Sequence, residues 1–221
     1  MLYIIATPIG NLDDMTLRAI ETLEKVEYLL CEDTRKSGLL LQNLGIKNKP
    51  KLISFYDEVE RQKIPEVVRY LEENKEVGLV TDAGTPLISD PGWLLVKKCQ
   101  EAGLKYTSIP GASSIINAVV LSGLPAGRFI YLGFLPKKQG ERKRILENNK
   151  DFEGSKIVLE SPFRLEKLIE EIIEVYGGEC KVAIAREMTK RFEEVINGGA
   201  QQVLETIKKS PVKGEAVVVF I

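Results

Sequence analysis

The sequence predicts an α/β fold of two α/β domains with a cofactor cleft between them, and three observations predict it. Short apolar runs bounded by turn residues recur along all 221 residues, as strands do. Segments with an apolar stripe at helical spacing lie between most of them, and strand–helix alternation favours largely parallel sheets. A punctuated stretch over residues 109–128, with Pro110, Gly111, Gly123, Pro125 and Gly127, divides the chain. The expected division is an N-terminal domain of residues 1–112 and a C-terminal domain of residues 113–221.

Taken in order, the expected strands of the first half are Leu2–Ala6, Val26–Cys31, Lys51–Phe55, Val77–Thr81 and Tyr106–Ile109. Those of the second half are Phe129–Phe134, Lys156–Glu160, Lys181–Arg186, Glu194–Asn197 and Ala216–Ile221, with a more antiparallel character. Ile64, Val67, Val68 and Leu71 mark one helix. Leu165, Leu168, Ile169, Ile172, Ile173 and Tyr176 mark another, with Glu and Lys on its outer face; both stripes keep the spacing of a half-buried helix.

Composition narrows the chemistry. A net charge of −1 leaves no global field to draw the chain onto nucleic acid or a membrane. The three cysteines, Cys31, Cys99 and Cys180, are scattered and odd in number; they imply no disulfide framework or zinc knuckle and fit a reducing, cytoplasmic setting. The opening MLYIIATPIGN has no basic region and reads as a buried strand, not a signal peptide. No run approaches the roughly 20 apolar residues of a membrane span. Histidine is absent altogether. That excludes a histidine general base, a Ser–His or Cys–His nucleophile and a histidine metal site, so no metal is expected and carboxylates, Lys, Tyr or Cys must carry any chemistry.

Three loops share one design. TPIGN follows the first strand, DAGTPLISDPG the fourth and PGASS the fifth, each with a Pro and a Gly. In a parallel sheet all three lie at the carboxyl edge, where ligands of α/β proteins bind. Gly and Pro fix main-chain directions without bulky side chains in the way, so such a rim can hold a flat polar ligand, although each loop taken singly also reads as a plain turn. Among the 18 glycines no two are separated by a single residue. The dinucleotide fingerprint of the Rossmann fold is therefore missing, and so is the P-loop.

The ordered segments TPIGN, CEDTRKSGLLL, VTDAGTPLISDPG, PGASS, LESPFR and AREMTKRFEE resemble, across essentially the whole chain, the tetrapyrrole methylase superfamily, and within it the branch that modifies ribosomal RNA. The resemblance implies S-adenosylmethionine as methyl donor, transfer to a ribose 2′-hydroxyl of a cytidine in 16S rRNA of the small ribosomal subunit, and a homodimer. It also implies that Asp82 to Gly92 holds the methionine and ribose parts of the donor, with Gly84 allowing close approach and Thr85 and Ile88 offering main-chain groups. Ser113 and Ser114 would face that loop, and Pro8 would border the methyl-transfer site. Phe163, Arg186 and the KGE turn at Lys213 would lie on the adenine side.

For CEDTRKSGLLL two readings stand side by side. Asp33 or Thr34 caps a helix and Arg35 pairs with Asp33 at the surface. Alternatively, Arg35 takes an RNA phosphate and Asp33 orients or deprotonates the attacking hydroxyl; Glu187 and Lys190 are the other candidate bases. Two departures from the family stand out. FYDEVE has Glu58 and Val59 where relatives carry His and Asn, and the helical extension many relatives carry beyond AVVVFI is missing. The run KKQGERKR, with five basic residues and one acid, reads either as a solvated helix start or as a phosphate-tracking patch. The competing functions are methyl transfer to a precorrin-like tetrapyrrole and non-catalytic binding of the donor as a scaffold.

Overall fold

Five short strands, β1 (Leu2–Ile5), β2 (Tyr28–Cys31), β3 (Lys51–Ser54), β4 (Val77–Leu79) and β5 (Tyr106–Ile109), form a wholly parallel sheet in the order β3-β2-β4-β1-β5. They are the strands expected from the apolar runs, shorter by at most two residues where the chain leaves the ladder. The computed structural model describes all residues from Met1 to Ile221, in two units, Met1–Ser113 and Ser114–Ile221.

In the first unit, side chains alternate across the sheet as the pleat requires. Leu2, Ile4, Leu30, Val77 and Leu79 pack on one face with Val67 and Leu71 of α3 (Asp57–Glu72) and Leu95 and Cys99 of α4 (Trp93–Glu101). Ile5, Leu29, Cys31 and Val80 pack on the other with Ala19 and Leu23 of α1 (Leu17–Leu23) and Leu41 of α2 (Thr34–Asn43). Both faces are covered, which is why the three inner strands, β2, β4 and β1, are apolar almost throughout rather than alternating. At Gly78 an added Cβ would sit 2.8 Å from Leu29 Cδ1, so any side chain there would have to displace Leu29.

The second unit contains α5 (Ser114–Ser122), β6 (Phe129–Phe134), α6 (Gln139–Asn148), β7 (Ser155–Glu160), α7 (Leu165–Tyr176), β8 (Lys181–Arg186), β9 (Glu194–Gly199), α8 (Ala200–Lys209) and β10 (Ala216–Phe220). Its sheet runs β6-β7-β10-β8-β9; only β6 and β7 are parallel. The last strand is central and fully buried, with Val218 opposite both Val158 and Ile184. The apolar stripe of α7, together with Val203 and Ile207 of α8 and Leu146 of α6, covers one face. On the other, α5 packs across β8 and β10 through Ile115, Ala118 and Val119.

The basic run KKQGERKR is not the open patch its composition allows. Arg142 is buried, and its guanidinium pairs side-on with Glu171 at 2.7 and 2.5 Å and donates to the carbonyls of Pro136 and Lys137. Lys143 pairs with Glu174 and Lys138 with Glu141. The acids that neutralise the run come mostly from α7, too far along the chain for a window of eight residues to reveal. Lys137, Lys138 and Arg144 stay exposed, Lys138 with only a surface pair, while Arg142 and Lys143 are taken up by α7.

Because both ends of the Arg142–Glu171 pair are withdrawn from water, removing one leaves the other charged, buried and uncompensated. Glu171→Ala should lower stability by roughly 3–5 kcal/mol in urea unfolding, whereas replacing both by methionine should cost much less. A loss below about 1 kcal/mol for Glu171→Ala would contradict the pairing.

Candidate functional site

The strand order of the first unit fixes where a ligand can bind. The chain leaves β1 toward β2 on one side and leaves β4 toward β5 on the other, although β1 and β4 are neighbours. Between two such strands the connecting segments diverge and leave a crevice beyond the carboxyl ends, the switch point at which open α/β sheets bind ligands. The residues there are TPIGN after β1 and TDAGTPLISDPG after β4.

These two loops are tied together. Thr7 N–H donates to the Gly84 carbonyl at 2.8 Å and Gly84 N–H to the Thr7 carbonyl at 3.1 Å. The Thr7 hydroxyl donates to the Thr81 carbonyl at 3.2 Å. Thr85 reaches the third loop, its hydroxyl donating to the Ala112 carbonyl at 3.0 Å. All three loops expected to share an edge therefore meet, through Thr7, Gly84, Thr85 and Ala112. Gly84 has a φ of 84°, a conformation open to glycine at no steric cost. Leu87 and Ser89 share the left-handed region at φ 73° and 66°. Without glycine's freedom each costs on the order of 1–3 kcal/mol, and such strain persists only where surrounding contacts over-determine the backbone.

Each expected site residue can now be located. Asp82 starts the long loop and pairs with Lys36 of α2 at 2.6 Å. Ile88 is exposed at the loop's outer bend, and Pro8 is half-buried next to Thr7. Ser113 closes the first unit and Ser114 opens α5 in the second. In the second unit the Arg186 guanidinium donates to the Lys213 carbonyl at 3.3 Å and pairs with Glu194 at 2.9 Å, so these two expected residues are in contact. Phe163 stands 98% exposed on a 3-10 turn over Pro162–Arg164.

The expected acid–base residues look different in three dimensions. Asp33 is the N-cap of α2, and its carboxylate accepts from the Arg35 amide at 2.9 Å and grips the Arg35 side chain at 3.0 and 2.7 Å. The Arg35 guanidinium, then the Arg35 amide, hold the Asp33 carboxyl well below the usual carboxylate range. A carboxylate held so low is a weak base. Glu187 lies in the second unit at a φ of 47° and accepts from the Glu215 amide at 3.1 Å and from Lys190 at 3.2 Å. Burial pushes its carboxyl up, but that amide and ammonium outweigh burial and leave it below the ordinary value. Lys190 also pairs with Glu215 at 2.9 Å; the trio staples the KGE turn to the end of β8.

A different pair has the properties of a base near neutrality. Glu32, at the end of β2, and Asp90, in the long loop, lie close enough to influence one another, and the Thr81 hydroxyl donates to Glu32 at 3.2 Å. Burial pushes the Asp90 carboxyl up, and the Glu32 charge adds to the effect, taking it to about 6. Burial and the Asp82 charge raise Glu32 as well. Two carboxyls facing each other in a partly dry site favour holding one proton between them. The sequence contains both acids within its two longest motifs, but their meeting depends on β2 and β4 being neighbours, which no local pattern encodes.

Comparison with known proteins extends these observations. The sequence model of the family described as Tetrapyrrole (Corrin/Porphyrin) Methylases matches residues 1–204. A protein of Haemophilus influenzae named Ribosomal RNA small subunit methyltransferase I is 42% identical over 99% of this chain and 77% of its own length. One of Thermotoga maritima with the same name is 41% identical over 99% of this chain and 97% of its own length. Among solved structures, diphthine synthase superposes with a TM-score of 0.73 at 16% identity, over 100% of this chain and 88% of that one. A uroporphyrin-III-C-methyltransferase of Thermus thermophilus does so with a TM-score of 0.66 at 19% identity, over 99% and 93%; at such identities the likeness concerns the fold.

The Asp90 pair leaves a signature in stability. Its carboxyl binds a proton more tightly folded, at about 6, than at the ordinary 3.8, so its contribution is complete below about pH 4 and is lost as pH rises through about 6. Melting curves across that range should show the unmodified chain losing ground to Asp90→Asn between about pH 4 and 6, with a constant gap above about pH 7. Parallel curves would mean that Asp90 is not perturbed.

Proposed function

The chain belongs to the tetrapyrrole methylase family, and on that premise we propose that it transfers the methyl group of S-adenosylmethionine to the ribose 2′-hydroxyl of a cytidine in 16S rRNA. One observation carries the choice of substrate. Identity of about 40% to relatives named for small-subunit ribosomal RNA extends over nearly the whole chain, against 19% or less to the tetrapyrrole and diphthine enzymes that share its fold. The reading takes the chain as a homodimer that works in the cytoplasm, where ribosomes are assembled; no helix is long and apolar enough to cross a membrane.

The residues at the switch point suit the donor. The rim is main chain from Thr7, Gly84, Thr85 and Ala112, whose directions are fixed by the strands beneath them. When bound, the donor supplies an electrophilic methyl on sulfur with a neutral thioether as leaving group. The protein's task is then to hold the acceptor oxygen in line, and orientation of this kind accounts for much of such a barrier. The rim, with Pro8 at its border, positions the donor. Ser113, at the end of the first unit, is assigned to its remaining surface.

The ribose hydroxyl must lose its proton during or after attack. With no histidine in the chain, the Glu32–Asp90 pair is the proton acceptor in this reading, since Asp90 at about 6 lies close to the operating range a general base needs. Thr81 fixes the orientation of Glu32. Asp33 serves to hold Arg35, which is exposed and pre-set for an RNA phosphate.

The test is transfer of labelled methyl from S-adenosylmethionine to small ribosomal subunits that lack the modification, with uroporphyrinogen offered in parallel. Label should appear on a cytidine ribose in 16S rRNA. Asp90→Asn should lower turnover on the order of a hundredfold with donor affinity nearly unchanged, the size typical of losing a general base. Label on the tetrapyrrole, or donor binding without transfer to either, would overturn the proposal.

A further inference from the structure

The far end of the donor loop is held by a residue outside every motif that carries the resemblance. Glu60 lies on α3, in the FYDEVE segment, and is only 6% exposed. A carboxylate is almost never buried to that extent without partners. Its partners are main-chain amides: Oε1 accepts from Gly92 N–H at 3.0 Å and from Leu95 N–H at 3.4 Å. These belong to the first turn of α4, whose own N-cap is Gly92 and offers no side chain. A helix start leaves amides unpaired and carries partial positive charge, and here an acid from another helix, 32 and 35 residues earlier in sequence, answers both needs.

What this contact fixes is the end of the strained segment. Gly92 has a φ of 123°, and a Cβ there would lie 2.6 Å from Leu79 Cδ2 and 2.8 Å from Leu87 Cδ1. The backbone at the exit of the loop is thus pressed against β4 and against left-handed Leu87. At its entrance the loop is held by the Thr7–Gly84 bridge and by Thr85 on Ala112. Between those anchors run Leu87 and Ser89, whose conformations would relax if either end came free.

We propose that Glu60 is a positioning residue for the donor: by gripping the amides of Gly92 and Leu95 it keeps residues 82–92 in the conformation that binds S-adenosylmethionine. The inference rests on the donor reading above and adds a residue to it. A loop ordered before its ligand arrives loses less freedom on binding, so release of Glu60 should weaken donor binding without removing any group that touches the donor. A helix cap with no further duty would lower the melting temperature and leave affinity unchanged.

The experiment titrates the full chain with S-adenosylmethionine by calorimetry and follows amide hydrogen exchange at Gly92 and Leu95. Glu60→Ala should weaken binding by about tenfold or more and speed exchange at both amides. Glu60→Gln, which keeps an acceptor oxygen in place, should restore affinity to within about twofold. Leu168→Ala, in the core of the second unit, supplies a comparable loss of melting temperature and should leave affinity unaltered. Should Glu60→Ala fail to fold, Glu60→Asp withdraws the carboxylate by one methylene and should give an intermediate loss. Binding by the unmodified chain with equal affinity in Glu60→Ala, or in Glu60→Asp when the first does not fold, overturns the inference alone. No binding by the unmodified chain overturns the donor reading and the inference with it.

Discussion

The two-way hydrogen bond between Thr7 and Gly84 is the contact on which the site depends. It joins the loop after the first strand to the loop after the fourth, at the place where the sheet's connections diverge. Without it the switch point would be an open gap between two independent turns. With it the gap acquires a floor of main-chain groups whose directions are set by the strands below. The surrounding residues then follow from that constraint. Gly84 takes a conformation that glycine alone adopts freely, Thr7 is buried so that its hydroxyl reaches the Thr81 carbonyl, and Thr85 carries the tie onward to the fifth strand's loop.

A chain without histidine has to obtain a base near neutrality by environment. The first unit does this by bringing carboxyls together at the ends of β2 and β4 and partly drying them, which raises Asp90 and Glu32. The neighbouring carboxyls show how strongly partners decide the outcome. Asp33, one residue from Glu32, is pulled far down by Arg35. Acids of the same motif thus end with opposed properties, and the difference lies in which cation reaches which oxygen. Raised carboxyls cost folding stability at neutral pH, as do left-handed Leu87 and Ser89. Both costs meet at the loop of Leu87, Ser89 and Asp90 and at Glu32 beside it, as expected where function rather than stability sets the local structure.

Much of this was legible in the amino-acid sequence because it is local. The apolar runs gave all ten strands to within two residues at either end, and the stripes on α3 and α7 lie where the spacing put them. The Gly- and Pro-containing loops of the first half announced a shared edge, since parallel strands joined by helices must put alternate connections there. What stayed illegible was pairing over distance. Arg142 read as one more surface cation until α7 supplied Glu171 and buried it. Glu60 carried no signal of its own within FYDEVE, because its partners lie 32 and 35 residues further on. The Glu32–Asp90 meeting required the strand order β2-β4, in which the fourth strand inserts beside the second. Periodicity reports which face of an element is buried; it does not report which element lies opposite.

In the proposed function, fixed main-chain groups at the carboxyl edge of the first sheet grip the donor. The most direct measurement is a titration of the isotope-labelled chain with S-adenosylhomocysteine, followed through amide chemical shifts. Saturable shifts are expected in Ala83, Gly84, Thr85 and Ile88 and in Gly111 and Ala112, with the amino-terminal ends of the strands, at Leu2, Tyr28 and Val77, unmoved. Shifts centred on those amino-terminal ends, or none on the loop from Asp82 to Gly92, would contradict it.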